Sequence, residues 1–144
     1  ITHHELIDTV PKSCIQDRTL IEDPEIFAKY LHGLGHMTDD ELELYFEYFE
    51  RLNRGIRQPD KIICFQCKDV NVLLDRIKTR GRQEEQSIKS SFLEGLNGYY
   101  TAFPSSVRSK HKVDVMPWDV SKWNIHDPDQ AKAFLSECEG FFAA

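Results

Sequence analysis

The residues best suited to chemistry lie in LLDRIKTRGRQEEQSI, residues 73–88, where Arg76, Lys78, Arg80 and Arg82 are followed at once by Glu84 and Glu85. On a helix Arg76 and Arg80 share one side, and Arg82 follows across Gly81, where the backbone can turn. Three guanidinium groups that can converge offer many directed donors to a polyanion, and arginine keeps its charge near neutral pH. The run reads as a clamp for a polyphosphate, as a solvated charged face, or as an interaction surface. Its setting favours the clamp: a helix that leaves a strand and ends at a glycine-containing loop can form a mobile lid over a nucleotide, here spanning about residues 76–88. Glu84 and Glu85 either pair with the arginines or reach a hydroxyl of a bound sugar.

Asp17-Arg18 is the second candidate pair. A carboxylate at a strand's carboxyl end can hold a magnesium ion or its water, and the neighbouring arginine can steady an anionic transition state. An isolated structural ion pair is the alternative. Cys64-x-x-Cys67 falls in an expected strand, so its side chains should take opposite faces and pack in the core rather than share a metal or a disulfide. His32 and His36 have helical spacing, yet Gly33 and Gly35 lie among them and nothing completes a metal set. Trp118 and Trp123 could line an adenine pocket or simply be buried.

These groups need elements to hold them. SCIQ, residues 13–16, reads as a short buried strand delivering Asp17 and Arg18. DPEIFAKYLHGLGHM reads as a helix with Asp23 as cap and Pro24 at its first position, fading at Gly33 and Gly35. Thr38 and Glu41 form a capping box for a helix to about Asn53, whose Leu42, Tyr45, Phe46 and Phe49 make a broad apolar face that could pair two subunits. PDKIICFQC predicts a strand whose apolar run, Ile62 to Phe65, calls for helices over both faces. Helical spacing follows over 70–79, with Ser90 or Ser91 capping a further helix that carries Phe92, Leu93, Leu96 and Tyr100. KVDVMPW is a last strand, and Asp127-Pro128 opens a closing helix that ends near Gly140. Strands separated by helices predict an α/β fold around a parallel sheet.

The 144 residues predict one domain with its own core, and a formal net charge of -6 argues against duplex nucleic acid as partner. No apolar run is long enough to span a membrane and no secretory leader is visible, so no membrane partner is expected. Four scattered cysteines fit reduced thiols and a cytoplasmic location. The chain opens at Ile1, and ITHHELIDTVPKS reads as the end of a helix broken at Pro11, so a preceding segment is expected.

In their order, IQDRTLIEDPEIFAKYLHGLG, LYFEYFERL, QPDKII and LLDRIKTRGRQEEQSI resemble the deoxynucleoside kinase family, the P-loop enzymes acting on deoxyadenosine, deoxyguanosine or deoxycytidine. The resemblance covers nearly the whole chain and implies a P-loop kinase-like parallel sheet flanked by helices. It implies transfer of the terminal phosphoryl of ATP, with Mg2+, to the 5'-hydroxyl of a small-molecule deoxynucleoside; the aromatic face of Leu42 to Phe49 separately suggests a homodimer. By that resemblance Asp17 lies near magnesium and Arg18 beside the 5'-hydroxyl and the moving phosphoryl. Arg80 and Arg82 become lid arginines on the phosphates, with Arg76 near the adenine of ATP. Glu85 accepts from the sugar 3'-hydroxyl, Asp23 faces the nucleobase edge and favours an amino-bearing base such as that of deoxyadenosine, and Phe27 packs on the base. Asn124 and Ile125 line the donor adenine after a one-residue adjustment.

No GxxxxGK(S/T) occurs in the 144 residues, so the loop that cradles phosphates in this family and its first strand are missing. The expectation is an incomplete nucleoside kinase-like domain over 1–144, inactive alone. The N-terminal segment would be supplied by the same chain or a companion. Two rivals remain: a thymidylate kinase, which shares the Asp-Arg pair and an arginine lid, and a non-catalytic accessory or structural relative.

Overall fold

The structure is a computed structural model that describes Ile7, Thr9 and residues 13–144. The helix expected to break at Pro11 lies largely outside those residues. Contacts divide the chain into two compact units, Ile1–Asp60 and Lys61–Ala144.

In the first unit a π-helical segment, Asp23–Ala28, runs directly into helix α1, Lys29–Gly33, and helix α2 follows over Asp39–Asn53. Pro24 occupies the start of the π segment, where its missing N–H leaves no bond unmade. Ile21, Pro24, Ile26, Ala28 and Tyr30 are buried, and among them the carboxylate of Glu25 is buried too, with Lys29 Nζ at 2.5 Å supplying the opposite charge that a buried carboxylate needs. The capping box of α2 is present as expected: Glu41 N donates to Thr38 Oγ1 at 3.3 Å and Thr38 N donates to Glu41 Oε2 at 2.8 Å. Leu42, Tyr45, Phe46 and Phe49 are half-buried along one side of α2, while Leu44 and Tyr48 face solvent.

Two expectations in this unit are corrected. Residues 13–16 are not a buried strand: they form no ladder, and Ile15 is 99% exposed. An extended segment becomes a strand only when a neighbour takes up its backbone groups, and the described sheet pairs β1 with β2 alone. Asp23 is not the helix cap either, because the helical turn begins after Glu22 and no side chain bonds the exposed N–H groups.

The second unit is built on strands β1, Lys61–Gln66, and β2, Asp114–Asp119, paired in parallel with Lys61 opposite Asp114 and Gln66 opposite Asp119. Parallel strands need a long crossover, and here it holds α3, Val70–Arg80, a single 3-10 turn at Gln83–Glu85, and α4, Ser90–His111. Helix α5, Pro128–Ala143, follows β2. Alternate residues of β1 serve opposite faces. Ile62 and Cys64 are buried, and Gln66 Nε2 donates to Tyr100 O of α4 at 2.8 Å. On the other face Lys61 Nζ donates to Phe141 O of α5 at 2.6 Å, and the Phe65 ring lies 5.8 Å from that of Phe134. Helices therefore cover both faces, as the apolar run predicted. Phe103, Val107 and Val115 are almost completely buried between α4 and the sheet, each contributing roughly 1.5–3 kcal/mol by leaving water.

Pro104 lies inside α4 and has no N–H to donate to the Tyr100 carbonyl one turn earlier. The Gln66 amide donates to that same oxygen, so a strand side chain takes the place of a helix N–H.

Helix ends show where local signals held. Asp69 caps α3 by accepting from Asn71 N at 3.0 Å, and Asp127 accepts from Asp129 N and Gln130 N at the start of α5. Helix α3 ends at Gly81, whose φ of 71° is the left-handed conformation glycine adopts without cost. The expected serine cap of α4 is absent. Lys89 holds that position, and Ser90 Oγ donates to Glu94 Oε1 at 2.6 Å instead. Helix α5 runs on past Gly140 to Ala143. Thr38→Ala should accordingly cost about 1 kcal/mol, read from the urea midpoint. Ser90→Ala, which removes no cap, should cost at most about half a kcal/mol.

Candidate functional site

In the first unit Asp17 and Arg18 lie in a bend after residues 13–16, exposed, and Arg18 has a φ of 65°. That left-handed conformation costs a side-chain-bearing residue about 1–2 kcal/mol. It coincides with the Arg18 guanidinium lying over the Phe27 ring, 5.3 Å from its centroid, a cation on the negative face of an aromatic. Phe27 is carried on the π-helical turn, as is Asp23, which is exposed. Glu22 sits among them. Its burial pushes the carboxyl up from the ordinary carboxylate range, the Arg18 charge and the Thr19 N–H pull it back, and Asp23 and Asp17 add to the rise. Burial also raises the Tyr45 phenol, with the Asp23 charge adding to it, so the Asp23 carboxylate acts on helix α2. The unit thus gathers Asp17, Arg18, Glu22, Asp23 and Phe27 into one charged neighbourhood with an aromatic floor. Among the described residues no three His, Cys, Asp or Glu side chains could share a metal, and His32 instead meets Asp39 Oδ1 at 2.7 Å.

In the second unit the arginine run follows α3 and the turn after it. Glu85 receives two of these arginines: Arg80 Nε and Nη2 donate to its Oε2 at 3.0 and 2.6 Å, and Arg82 Nη1 reaches Oε1 at 3.5 Å. Gly81 makes this possible by reversing the chain between the two arginines, and the 3-10 turn then brings Glu85 back beneath them. Both guanidinium groups stay at least half exposed, so they converge on one carboxylate while facing solvent. Glu84 is exposed.

Arg76 takes no part in that cluster. Its Nη2 donates to the carbonyls of Val120 at 2.8 Å and Trp123 at 3.0 Å, in the connection after β2. Arg76 and Arg80 line one open hollow on α3 with Val72, Asp75 and Thr79. Asn124 and Ile125 follow in the same connection, both exposed; Asn124 Oδ1 accepts from His126 N at 3.0 Å, and its own N–H donates to Gln130 Oε1 at 2.9 Å. Trp118 and Trp123 are half-buried in an aromatic cluster: Phe134 lies 5.0 Å from Trp118 and 5.2 Å from Trp123, and Phe65 stacks on Trp123 at 5.9 Å. Their indole N–H groups make no hydrogen bond among the described residues. Cys64 and Cys67 form no disulfide among the described residues and both are buried, in keeping with core packing, although Cys67 lies just past the end of β1.

The sequence reading passed over Asp119 and Ser121. Ser121 N and Oγ donate to Asp119 Oδ1 at 2.9 and 2.6 Å, and Ser121 Oγ in turn accepts from the N–H groups of Lys68 at 2.8 Å and Asp69 at 3.3 Å. An Asp two residues before a Ser at a strand end is a signal for a side chain turning back on its own backbone, so the local part was legible. The part that crosses to Lys68 and Asp69 was not.

The family model for deoxynucleoside kinases matches residues 2–142. A deoxyadenosine kinase of Dictyostelium discoideum is 31% identical over 116 residues, covering 81% of this chain and 45% of that protein. A deoxyadenosine/deoxycytidine kinase of Bacillus subtilis is 32% identical over 88 residues, 60% of this chain and 40% of the other. A probable deoxycytidine kinase of fowlpox virus is 24% identical over 144 residues, 99% of this chain and 61% of the other. The chain thus spans about half the length of the curated relatives it matches. Among solved structures, deoxyadenosine kinase from M. mycoides with bound dATP superposes with a TM-score of 0.73 at 21% identity, over 96% of this chain and 68% of that one. That likeness is one of fold: a parallel sheet between helices.

Asp119 gives the site a pH dependence measurable without any ligand. The Ser121 hydroxyl first, then its N–H and the Lys68 charge, hold the Asp119 carboxyl down from 3.8 to about 2. A carboxyl depressed by folding stabilises the folded state above its unfolded value, and that contribution is lost as pH falls through the folded one, here between 3.8 and about 2. The carbon-13 shift of the Asp119 carboxyl should titrate with a midpoint near 2, and Ser121→Ala should move it back toward 3.8. A wild-type midpoint at the ordinary aspartate value would contradict this account.

Proposed function

Because the chain belongs to the deoxynucleoside kinase family, we propose that in the intact protein it serves transfer of the terminal phosphoryl group of ATP, with Mg2+, to the 5'-hydroxyl of a deoxynucleoside, an amino-bearing base such as that of deoxyadenosine being favoured. The observation that carries the reading is the convergence of Arg80 and Arg82 on the two oxygens of one carboxylate. Two fixed positive charges that can meet at one oxyanion group are what phosphoryl transfer asks of a protein, since the charge spread over the moving group's oxygens must be balanced while little covalent chemistry is required.

In this reading Glu85 holds the arginines until phosphate oxygens replace its own, and its carboxylate is then free to accept from a sugar hydroxyl. Arg18 steadies the phosphoryl group, its φ of 65° fixing the direction in which the side chain leaves the backbone. Asp17 suits magnesium, which commonly takes one or two carboxylates and completes its shell with phosphate oxygens and water. Bound there, the ion would neutralise charge on the phosphates. Asp23 accepts from an exocyclic amino group, and Phe27 offers an aromatic face to the base. Arg76, Asn124 and Ile125 serve the donor adenine. The loop that cradles phosphates in this family belongs, on this proposal, to a part of the intact protein outside these 144 residues.

The test is an assay of the intact protein with ATP and Mg2+ against the four deoxynucleosides and their monophosphates. Phosphorylation of deoxyadenosine, with a lower kcat/KM for thymidine, is the expected result. Activity confined to monophosphates, or none at all, would overturn the reading. Within an active enzyme, Arg82→Ala should lower kcat by about a hundredfold or more, the scale of losing one group that stabilises transition-state charge. Its KM for the deoxynucleoside should stay within about threefold. An equal loss in both would deny Arg82 a role specific to the transition state.

A further inference from the structure

Asp119 and Ser121 form a brace built on the serine's N–H and hydroxyl, with Cys67 Sγ also 3.6 Å from the hydroxyl oxygen. A hydroxyl has one proton to give and two lone pairs to offer. The Ser121 hydroxyl gives its proton to Asp119 Oδ1 at 2.6 Å and receives the N–H groups of Lys68 and Asp69 at 2.8 and 3.3 Å. Lys68 Nζ adds a charge contact with Asp119 Oδ2 at 3.5 Å. The parallel register makes this meeting possible, because Gln66 and Asp119 are paired at the carboxyl ends of their strands and Val120 N extends the ladder to Gln66 O at 2.7 Å. One side chain therefore fastens the β2–α5 connection to the turn that starts α3.

The brace acts on Arg76 through a single peptide unit. The Val120–Ser121 peptide is planar and trans, so its N–H and its C=O point in opposite directions. Its N–H is held by Asp119 Oδ1 at 2.9 Å, and its C=O receives Arg76 Nη2 at 2.8 Å. Fixing one side of the plane fixes the other. Arg76 uses only Nη2 in this contact and in that with Trp123 O, so Nε and Nη1 make no hydrogen bond among the described residues and the side chain stays exposed beside Arg80 in the hollow on α3.

We propose that Asp119 and Ser121 are positioning residues that set the Arg76 guanidinium for the donor nucleotide, by locking the Val120–Ser121 peptide plane whose carbonyl anchors it. This rests on the reading of the protein as an ATP-dependent deoxynucleoside kinase, in which Arg76 meets the donor base. The brace then governs affinity for ATP and leaves the acceptor nucleoside untouched.

The experiment compares Ser121→Ala, Ser121→Thr and Asp119→Ala in the intact protein, using ATP and deoxyadenosine. Ser121→Ala and Asp119→Ala should raise the KM for ATP about tenfold, the scale of one lost hydrogen bond that aligns a binding group. The KM for deoxyadenosine should change by less than about twofold, and Ser121→Thr, which keeps the hydroxyl, should restore the wild-type KM for ATP. A brace of purely structural value would lower the melting temperature while moving both KM values together or neither, and that outcome overturns the proposal. A second readout is independent of catalysis: solvent exchange of the Arg76 guanidinium protons, followed by nitrogen-15 NMR, should accelerate in Ser121→Ala and Asp119→Ala. Unchanged exchange in both variants overturns the positioning role. Accelerated exchange in both variants of a protein whose wild type phosphorylates no nucleoside would instead fail the functional reading and leave the coupling to Arg76 standing.

Discussion

Two parallel strands cannot be joined by a tight turn, and the architecture of the larger unit follows from that constraint. The connection from Gln66 back to Asp114 has to cross the sheet, and in crossing it lays down α3, the glycine-ended turn and α4. It also leaves both strands ending on the same side, so the residues after Gln66 and after Asp119 become neighbours although about fifty positions separate them. The contact of Ser121 with Lys68 and Asp69, and that of Arg76 with Val120 and Trp123, both arise there. Neither would exist in an antiparallel pair, whose ends alternate.

The cations of α3 and its turn are held in two different ways. Arg80 and Arg82 share a carboxylate, an arrangement that another anion can displace because one charge is exchanged for another and both guanidinium groups already face water. Arg76 is held by carbonyl dipoles, which engage Nη2 alone and bring no opposite charge to the guanidinium. Four residues along one helix therefore separate a replaceable contact from a fixed one.

How much could be seen in the sequence depended on how far apart the cause and the effect lay. The Thr38–Glu41 box, the Asp127 cap and the Gly81 stop are decided within a turn of helix, and each was legible. The strand at Ile62–Phe65 was legible because a residue pair buried on one face and packed on the other leaves an apolar run. Residues 13–16 carry a similar though shorter signal, but a strand exists by virtue of its neighbour, and the four residues say nothing about one. Ser90 failed as a cap because its hydroxyl had a competing partner in Glu94, four residues on. Within the candidate site, the charges announced the pairing of Glu85 with the arginines. The anchoring of Arg76 was silent, since a backbone carbonyl has no letter in the sequence, and so was the reach of Ser121 across the sheet.

Gln66 and Pro104 illustrate a consequence of another kind. The proline withdraws a donor from the Tyr100 carbonyl and the glutamine returns one, from a different element nearly forty positions away. With the glutamine lost, that part-buried oxygen gives up one donor where the proline already withholds another; with the proline replaced by a residue bearing an N–H, the helix can supply a donor of its own. The energetic worth of either residue is thus defined only in the presence of the other, and the two positions make up a single heritable unit, in which the order of substitution decides whether an intermediate is tolerated.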